Sequence, residues 1–156
     1  MKQFKIFLVI VVLAFTAACS KGGDTPTPVP PVVPPVVTPP VAEPDITFNI
    51  EIAGIVIDNT TYFAALGATQ AININITSPF PKNGVTIQVI VNNETTGTEL
   101  YNKTNAGIAA ATNPFTIDNL LGGVPCSGKV IVTSKTEDPV SKTFKSLQKT
   151  FKISRK

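Results

Sequence analysis

Apolar and polar residues alternate along several short segments in the C-terminal part of this chain. The clearest segments are residues 46–52, 72–77 and 85–91, where isoleucine, valine or phenylalanine recurs at every second position between mostly polar residues. A period of two places successive side chains on opposite faces of an extended strand, and β-branched residues suit that conformation. Each segment is therefore predicted to form a β-strand with one buried and one solvent-facing side.

Four further segments are predicted strands, and turn-forming clusters separate them. These strands are residues 98–102, 114–119, 129–135 and 147–154. The clusters, such as residues 78–84, are rich in proline, glycine and asparagine. Seven short strands without helical segments between them exclude a doubly wound α/β domain, because parallel strands need crossover helices. The pattern predicts an all-β domain over residues 46–156, built as a seven-stranded antiparallel β-sandwich.

The C-terminal segment has two interpretations. Phe144, Leu147 and Phe151 recur at spacings of three and four residues among lysines, as in a basic amphipathic helix that lies on an anionic membrane or glycan. In a strand, Leu147, Lys149, Phe151 and Ile153 face one way, and lysines protect an exposed sheet edge. The strand is favoured, because the sandwich requires a last strand.

The first 20 residues have the pattern of an export signal. Lys2 and Lys5 precede an apolar run over residues 6–15, and small residues then lead directly to Cys19. The run is too short to span a bilayer as a helix, which takes about 20 residues. Residues 1–18 are predicted to be a cleaved signal peptide. An ordinary secreted protein with an incidental cysteine is the alternative interpretation.

A proline-rich segment separates Cys19 from the alternating region. Residues 25–44 contain nine of the chain's 14 prolines and a short Pro-Pro-Val-Val repeat. Proline lacks the backbone N–H and fixes φ, so this segment is expected to be a disordered, extended polyproline II stalk. At about 3.1 Å per residue it reaches roughly 60 Å. Residues 19–45 are therefore predicted to be a linker.

The N-terminal pattern resembles the lipobox of bacterial lipoproteins. Thr16-Ala17-Ala18 precede Cys19, and a polar Ser-Lys-Gly-Gly-Asp tether follows it, although Thr16 stands where that motif usually has a large aliphatic residue. The resemblance implies that Cys19 is diacylated and anchors the protein to a membrane of the cell envelope. It favours the outer membrane, with display at the outer face over the periplasmic leaflet.

Part of the alternating region resembles fibronectin type III and related immunoglobulin-like domains. Residues 115–124 resemble the E strand and the leucine-bearing E–F turn, and residues 130–134 resemble the F strand. Cys126-Ser127-Gly128 replace the tyrosine that often begins strand F, and the chain has no tryptophan. The resemblance implies an immunoglobulin-like sandwich.

Composition restricts the classes of function. The chain has no histidine, which removes the usual general base, the commonest metal ligand and the Ser-His-Asp and Cys-His catalytic groups. The adjacent acids Glu137 and Asp138 precede Pro139, which indicates a turn rather than a glycosidase carboxylate pair or a calcium site. The formal charge of +3 falls to +1 without Lys2 and Lys5, which disfavours nucleic acid as a partner. We expect a non-enzymatic protein without metal or cofactor.

The candidate ligand-binding residues are the aromatic side chains Tyr62, Phe63 and Tyr101, with both tyrosines in or near predicted loops. Exposed aromatic rings stack on sugars in glycan-binding sandwiches, but aromatics that close one end of the sandwich explain them equally well. Cys126 is the only thiol after Cys19 and is expected to be a buried core residue.

The leading hypothesis for function is a lipid-anchored, non-catalytic cell-envelope protein that displays its sandwich for adhesion, scaffolding or accessory binding, with an envelope protein or a glycan as partner. The alternative is a glycan-binding accessory lipoprotein of a polysaccharide-uptake system. A single exposed face that contains Tyr62, Phe63 and Tyr101 would favour the alternative. A hydrolase is a third, less favoured hypothesis.

Overall fold

The computed structural model describes residues 37–156, and these residues form nine β-strands and no helix. In chain order the strands are β1 (Phe48–Ile52), β2 (Ile55–Val56), β3 (Tyr62–Ala65), β4 (Gln70–Ile76), β5 (Val85–Asn93), β6 (Glu99–Ile108), β7 (Thr112–Ile117), β8 (Pro125–Glu137) and β9 (Phe144–Arg155). Within this part of the chain, no helix is long and apolar enough to cross a membrane. The predicted signal peptide, Cys19 and most of the predicted stalk lie outside the described residues.

The strands form two sheets around one apolar core. One sheet has the order β2-β1-β4-β7, and the other has the order β3-β9-β8-β5-β6. All neighbouring strands are antiparallel except β3 and β9, which are parallel. Buried side chains from both sheets form a single cluster. This all-β, two-sheet arrangement is consistent with a β-sandwich, but it has nine strands where the sequence predicted seven.

The alternation that predicts the strands also supplies the core. Along β5, every inward-facing position is fully buried, namely Val85, Ile87, Val89 and Val91. Full burial of a valine or isoleucine side chain contributes about 1.5–3 kcal/mol relative to exposure. The residues between them are half-buried on the outer face.

Two short strands were not predicted from the sequence. Strand β2 pairs with β1 through a tight turn at Ala53 and Gly54, which both have positive φ. Strand β3 pairs with residues 152–155 at the end of β9. The chain crosses from the first sheet to the second between β2 and β3. Tyr62 therefore lies on β3, an edge strand of the second sheet, and not in a loop.

The C-terminal segment is a strand, as predicted. Strand β9 has 12 residues and lies between β3 and β8. Phe151 and Ile153 are fully buried, so this segment is part of the core and not an amphipathic helix. The ring of Phe151 packs against Gly128 of β8, where an added Cβ would lie 2.0 Å from the ring Cζ atom.

The strand directions separate two ends of the domain. Residues 37–47 lead into β1 at the end that also carries the loop of residues 77–84 and the β8–β9 turn, residues 138–143. The opposite end, called the far end below, carries the loops of residues 66–69, 94–98 and 118–124 and the C-terminal Lys156.

Candidate functional site

The three candidate aromatic residues lie at opposite edges of the five-stranded sheet. Tyr62 and Phe63 are on β3 at one edge, and Tyr101 is on β6 at the other. Tyr62 is 43% exposed and Tyr101 only 8% exposed, while Phe63 is half-buried against the core. The structure therefore does not bring these residues together on one exposed face.

Tyr62 lies among polar side chains on the outer face of the sheet. Pairing across the strands aligns it with Lys152, Ser127 and Asn92. Its hydroxyl donates a hydrogen bond to the Glu94 carboxylate, and the Lys152 Nζ atom lies 5.0 Å from the ring centroid. The hydrogen bond to Glu94 raises the pKa of Tyr62, because ionisation would remove the proton that is shared with a carboxylate.

Tyr101 is a core residue rather than a surface platform. It lies opposite Val91 on the inner face of the sheet, and it belongs to the buried apolar cluster. Its hydroxyl is buried and has no hydrogen-bond partner among the described residues. Burial, with the nearby charge of Asp118, raises the pKa of the Tyr101 phenol.

Cys126 is fully buried, as predicted. Its Sγ atom lies 3.6 Å from the carbonyl oxygen of Val124. Burial, with a smaller contribution from the charge of Glu94, raises the pKa of the thiol. Because the thiolate is the reactive form of cysteine, this environment makes Cys126 a packing residue and not a nucleophile.

Glu137 and Asp138 do not form a carboxylate pair, and the predicted turn is confirmed. Asp138 is buried and accepts backbone hydrogen bonds from Val140 at 2.8 Å and Ser141 at 2.9 Å, which shape the β8–β9 turn. It also accepts a hydrogen bond from the backbone of Glu43 at 3.2 Å. The bonds from these amides, that from Ser141 first, lower the pKa of Asp138. Glu137 is exposed.

The structure also shows a cleft of about 410 Å³ beside β9, which the sequence did not predict. We call it the open-edge cleft. It is lined by Asn49, Ile50, Val56, Ile57, Asp58, Asn59, Gln148, Lys149 and Thr150. The cleft lies where β9 has no partner on this side, because β3 pairs with only the last four residues of β9. Strand β3 was not predicted, so no signal in the sequence pointed to the cleft.

Neither metal chemistry nor known relatives suggest another site. Within residues 37–156, no three histidine, cysteine, aspartate or glutamate side chains are grouped closely enough to hold a metal ion. Comparisons with protein-family models, with curated proteins and with solved structures find no match to this chain. The function must therefore be argued from the N-terminal sequence and from the surface of the domain.

Proposed function

We propose that this chain is a lipid-anchored, non-catalytic protein of the bacterial cell envelope, which displays one immunoglobulin-like β-sandwich on a proline-rich stalk. Its role is adhesion, scaffolding or accessory binding at the outer membrane. The observation that carries the proposal is the N-terminal sequence, with its charged start, short apolar run and small residues before Cys19. A diacylated cysteine carries two acyl chains, and two lipid signals suffice for stable anchoring.

The strand order supports an immunoglobulin-like topology. In such domains, strands A, B and E share one sheet, and strands C, F and G share the other. Here β1, β4 and β7 share one sheet, while β5, β8 and β9 share the other, with β6 beside β5 in the position of strand C′. Leu120, in the connection between β7 and β8, is buried at the position where the resemblance places the E–F leucine.

The two ends of the domain support display away from a membrane. Residues 45–47 lead into β1 at one end of the domain, and the loops of residues 66–69, 94–98 and 118–124 lie at the far end. Leu66 and Leu121 on these loops are 88% and 51% exposed. A stalk of roughly 60 Å provides the reach for such display.

A glycan-binding accessory role is the second proposal. The observation in its favour is the exposed ring of Tyr62, which has the charged side chains of Lys152 and Glu94 beside it. It receives less support than the first proposal, because Tyr101 is buried at the opposite edge of the sheet. Phe63, the next residue of β3, points to the opposite face and packs against the core, so a sugar-stacking surface would consist of the Tyr62 ring alone.

Cell fractionation tests the anchoring proposal. The wild-type chain should sediment with membranes at its processed size and should be released by detergent but not by high salt. The Cys19→Ala variant should lose the processed, membrane-bound form, whereas Ser20→Ala, one residue further on, should behave as the wild type. Equal amounts of processed, membrane-bound chain for wild type and Cys19→Ala would contradict the proposal.

A further inference from the structure

Asp138 is buried, although the rest of the β8–β9 turn is half-buried or exposed. Burial of a carboxylate is costly unless hydrogen bonds and an opposite charge compensate it. Its Oδ1 atom accepts hydrogen bonds from the turn amides of Val140 and Ser141, at 2.8 and 2.9 Å. Its Oδ2 atom accepts one from the amide of Glu43 at 3.2 Å and lies 3.8 Å from the Lys145 Nζ atom. One oxygen therefore serves the turn, and the other serves partners outside it.

The turn is closed without the second oxygen. The amide of Asp138 donates a hydrogen bond to the carbonyl oxygen of Thr143, and the amide of Lys142 donates one to the carbonyl oxygen of Asp138, both at 2.9 Å. The bond from Glu43 joins residues 95 positions apart in the chain. It therefore attaches the segment before β1 to the turn, and does not close the turn itself.

The segment that leads into β1 is held at two further points. The Asp45 carboxylate forms a salt bridge of 2.7 Å with Lys145, and the side chain of Ile46 is buried in the core cluster. Pro44 lies between the two polar contacts. Its ring fixes φ, so less conformational freedom is lost when the segment becomes ordered. We call residues 43–46 the entry strap.

The entry strap connects the two sheets. It continues into β1, which belongs to the four-stranded sheet, whereas the β8–β9 turn belongs to the five-stranded sheet. The Asp45 side chain is 83% exposed, so its salt bridge alone contributes little. The bond from the Glu43 amide is the main contact, because its acceptor is a charged and buried carboxylate. A pull on the chain before Glu43 would be carried by both sheets and not by β1 alone.

We infer that the entry strap is a clamp that locks the chain to both sheets, so that chain and domain move as one body from Glu43 onward. Without these contacts, the chain would be fixed only from the buried Ile46 onward. The clamp determines the direction in which the chain enters the domain. It would act in this way whether or not Cys19 is lipidated.

Nitrogen-15 relaxation of the full chain in detergent micelles tests the clamp on the picosecond to nanosecond timescale. The Glu43 amide of the wild type should have an order parameter of about 0.85, as in rigid backbone. In Asp138→Asn, the amide oxygen can still accept the bonds from Val140 and Ser141, but an NH₂ group replaces Oδ2 and cannot accept a bond from Glu43. The order parameter of Glu43 should therefore fall below about 0.6, while those of Val140 and Ser141 stay unchanged.

A second variant tests the clamp if Asp138→Asn does not fold. Lys145→Met removes both salt bridges and leaves the turn amides on Asp138, so it should also lower the order parameter of Glu43. Glu137→Gln and Lys135→Met are the matched controls. They alter exposed charges of β8 and should leave Glu43 as ordered as in the wild type.

Two results would overturn the inference. The first is wild-type order at Glu43 in both Asp138→Asn and Lys145→Met. The second is an order parameter below about 0.6 at Glu43 in the wild type, because the strap would then be loose in the native domain. Loss of anchoring in cells, with an ordered Glu43 amide, would contradict the proposed anchor alone.

Discussion

Gly128 shows how a single missing side chain determines the packing of two strands. It lies opposite Phe151 in the β8–β9 pairing, and the fully buried ring of Phe151 occupies the space where a Cβ atom would be. Glycine is required at this position because the Phe151 ring takes the space of a Cβ atom, and not because the backbone has a conformation that other residues avoid. The aromatic ring covers the glycine backbone and fills the core between the two sheets.

Substitution of Gly128 by alanine should destabilise the domain. An added Cβ would lie 2.0 Å from Cζ and 2.1 Å from Cε1 of Phe151, so the ring would have to move within a closed core. Overpacking of this kind costs about 1–3 kcal/mol or more in the free energy of unfolding, measured by urea denaturation. Gly122→Ala is the control, because its Cβ would meet nothing within 4 Å. Equal unfolding midpoints for the two variants would contradict this packing.

Asp138 stabilises the β8–β9 turn through its charged carboxylate. Its pKa in the folded domain is lowered, above all by the amide of Ser141 and then by those of Val140 and Glu43. Because this pKa is lower in the folded domain than in the unfolded chain, the ionised carboxylate contributes its full stabilisation at pH values above the unfolded pKa, about 3.9. That stabilisation is lost as the pH falls through the lower pKa of the folded domain.

The Asp138→Asn variant should unfold at lower urea concentration than the wild type at pH 7. The difference should shrink as the pH is lowered below about 4, where the wild-type carboxylate also becomes neutral. Glu137→Gln, at the exposed neighbouring position, should match the wild type at every pH. If the difference in urea midpoint between wild type and Asp138→Asn stayed unchanged down to pH 2, the charge of Asp138 would not contribute to the stability of the domain.

At the scale of elements, β9 holds the second sheet together. It pairs with β8 on one side, and on the other it is the one strand within residues 37–156 that pairs with β3. Two of its residues, Phe151 and Ile153, are completely buried. Residues 151–155 of β9 therefore both hold β3 in the sheet and supply buried side chains to the core.

A chain that ends at Thr150 should not fold cooperatively. It would lose two fully buried side chains, worth about 1.5–3 kcal/mol each, and β3 would have no strand to pair with. A chain that ends at Arg155 keeps all of β9 and should melt close to the full chain. Thermal melting followed by circular dichroism distinguishes the two. A cooperative transition in the shorter chain would show that folding of the domain does not require the C-terminal part of β9.

Strict alternation made most of the strands predictable from the sequence. Along β4 and β5, the buried residues are the alternating isoleucines and valines. Strand β2 has two residues and β3 has four, and neither alternates, so the pairing with β1 and β9 defines them. Strand β6 extends to Ile108, beyond the predicted end at residue 102, because its mostly exposed polar residues pair with β5 without a buried face.

The candidate site was less predictable than the fold. Composition marked Tyr62 and Tyr101 as candidate binding residues, but their placement depends on which strands neighbour in space. Tyr101 faces inward because it lies opposite Val91, and Tyr62 is exposed because β3 is an edge strand. The open-edge cleft arises from the unequal lengths of β3 and β9, which are set by long-range pairing and leave no local pattern.

At the scale of the molecule, the domain is expected to fold without the segment that precedes it. Apolar alternation begins at Ile46, and the buried cluster consists entirely of residues from Ile46 onward. A fragment of residues 45–156 should give a β-type circular dichroism spectrum and a single cooperative melting transition. It should melt close to the full chain, because among the described residues before Asp45 it loses mostly exposed side chains and the hydrogen bond from Glu43 to Asp138. A largely helical spectrum would contradict the fold.

Lipidation of Cys19 is the central claim, because it determines where the domain works and what the stalk is for. Metabolic labelling of cells with a palmitate analogue tests it most directly. The wild-type chain and the Ser20→Ala control should incorporate the label, and Cys19→Ala should not, since the acyl chains require the thiol of the cysteine. Incorporation of equal label by wild type and Cys19→Ala, or by neither, would contradict the lipid anchor and with it the proposed display of the domain.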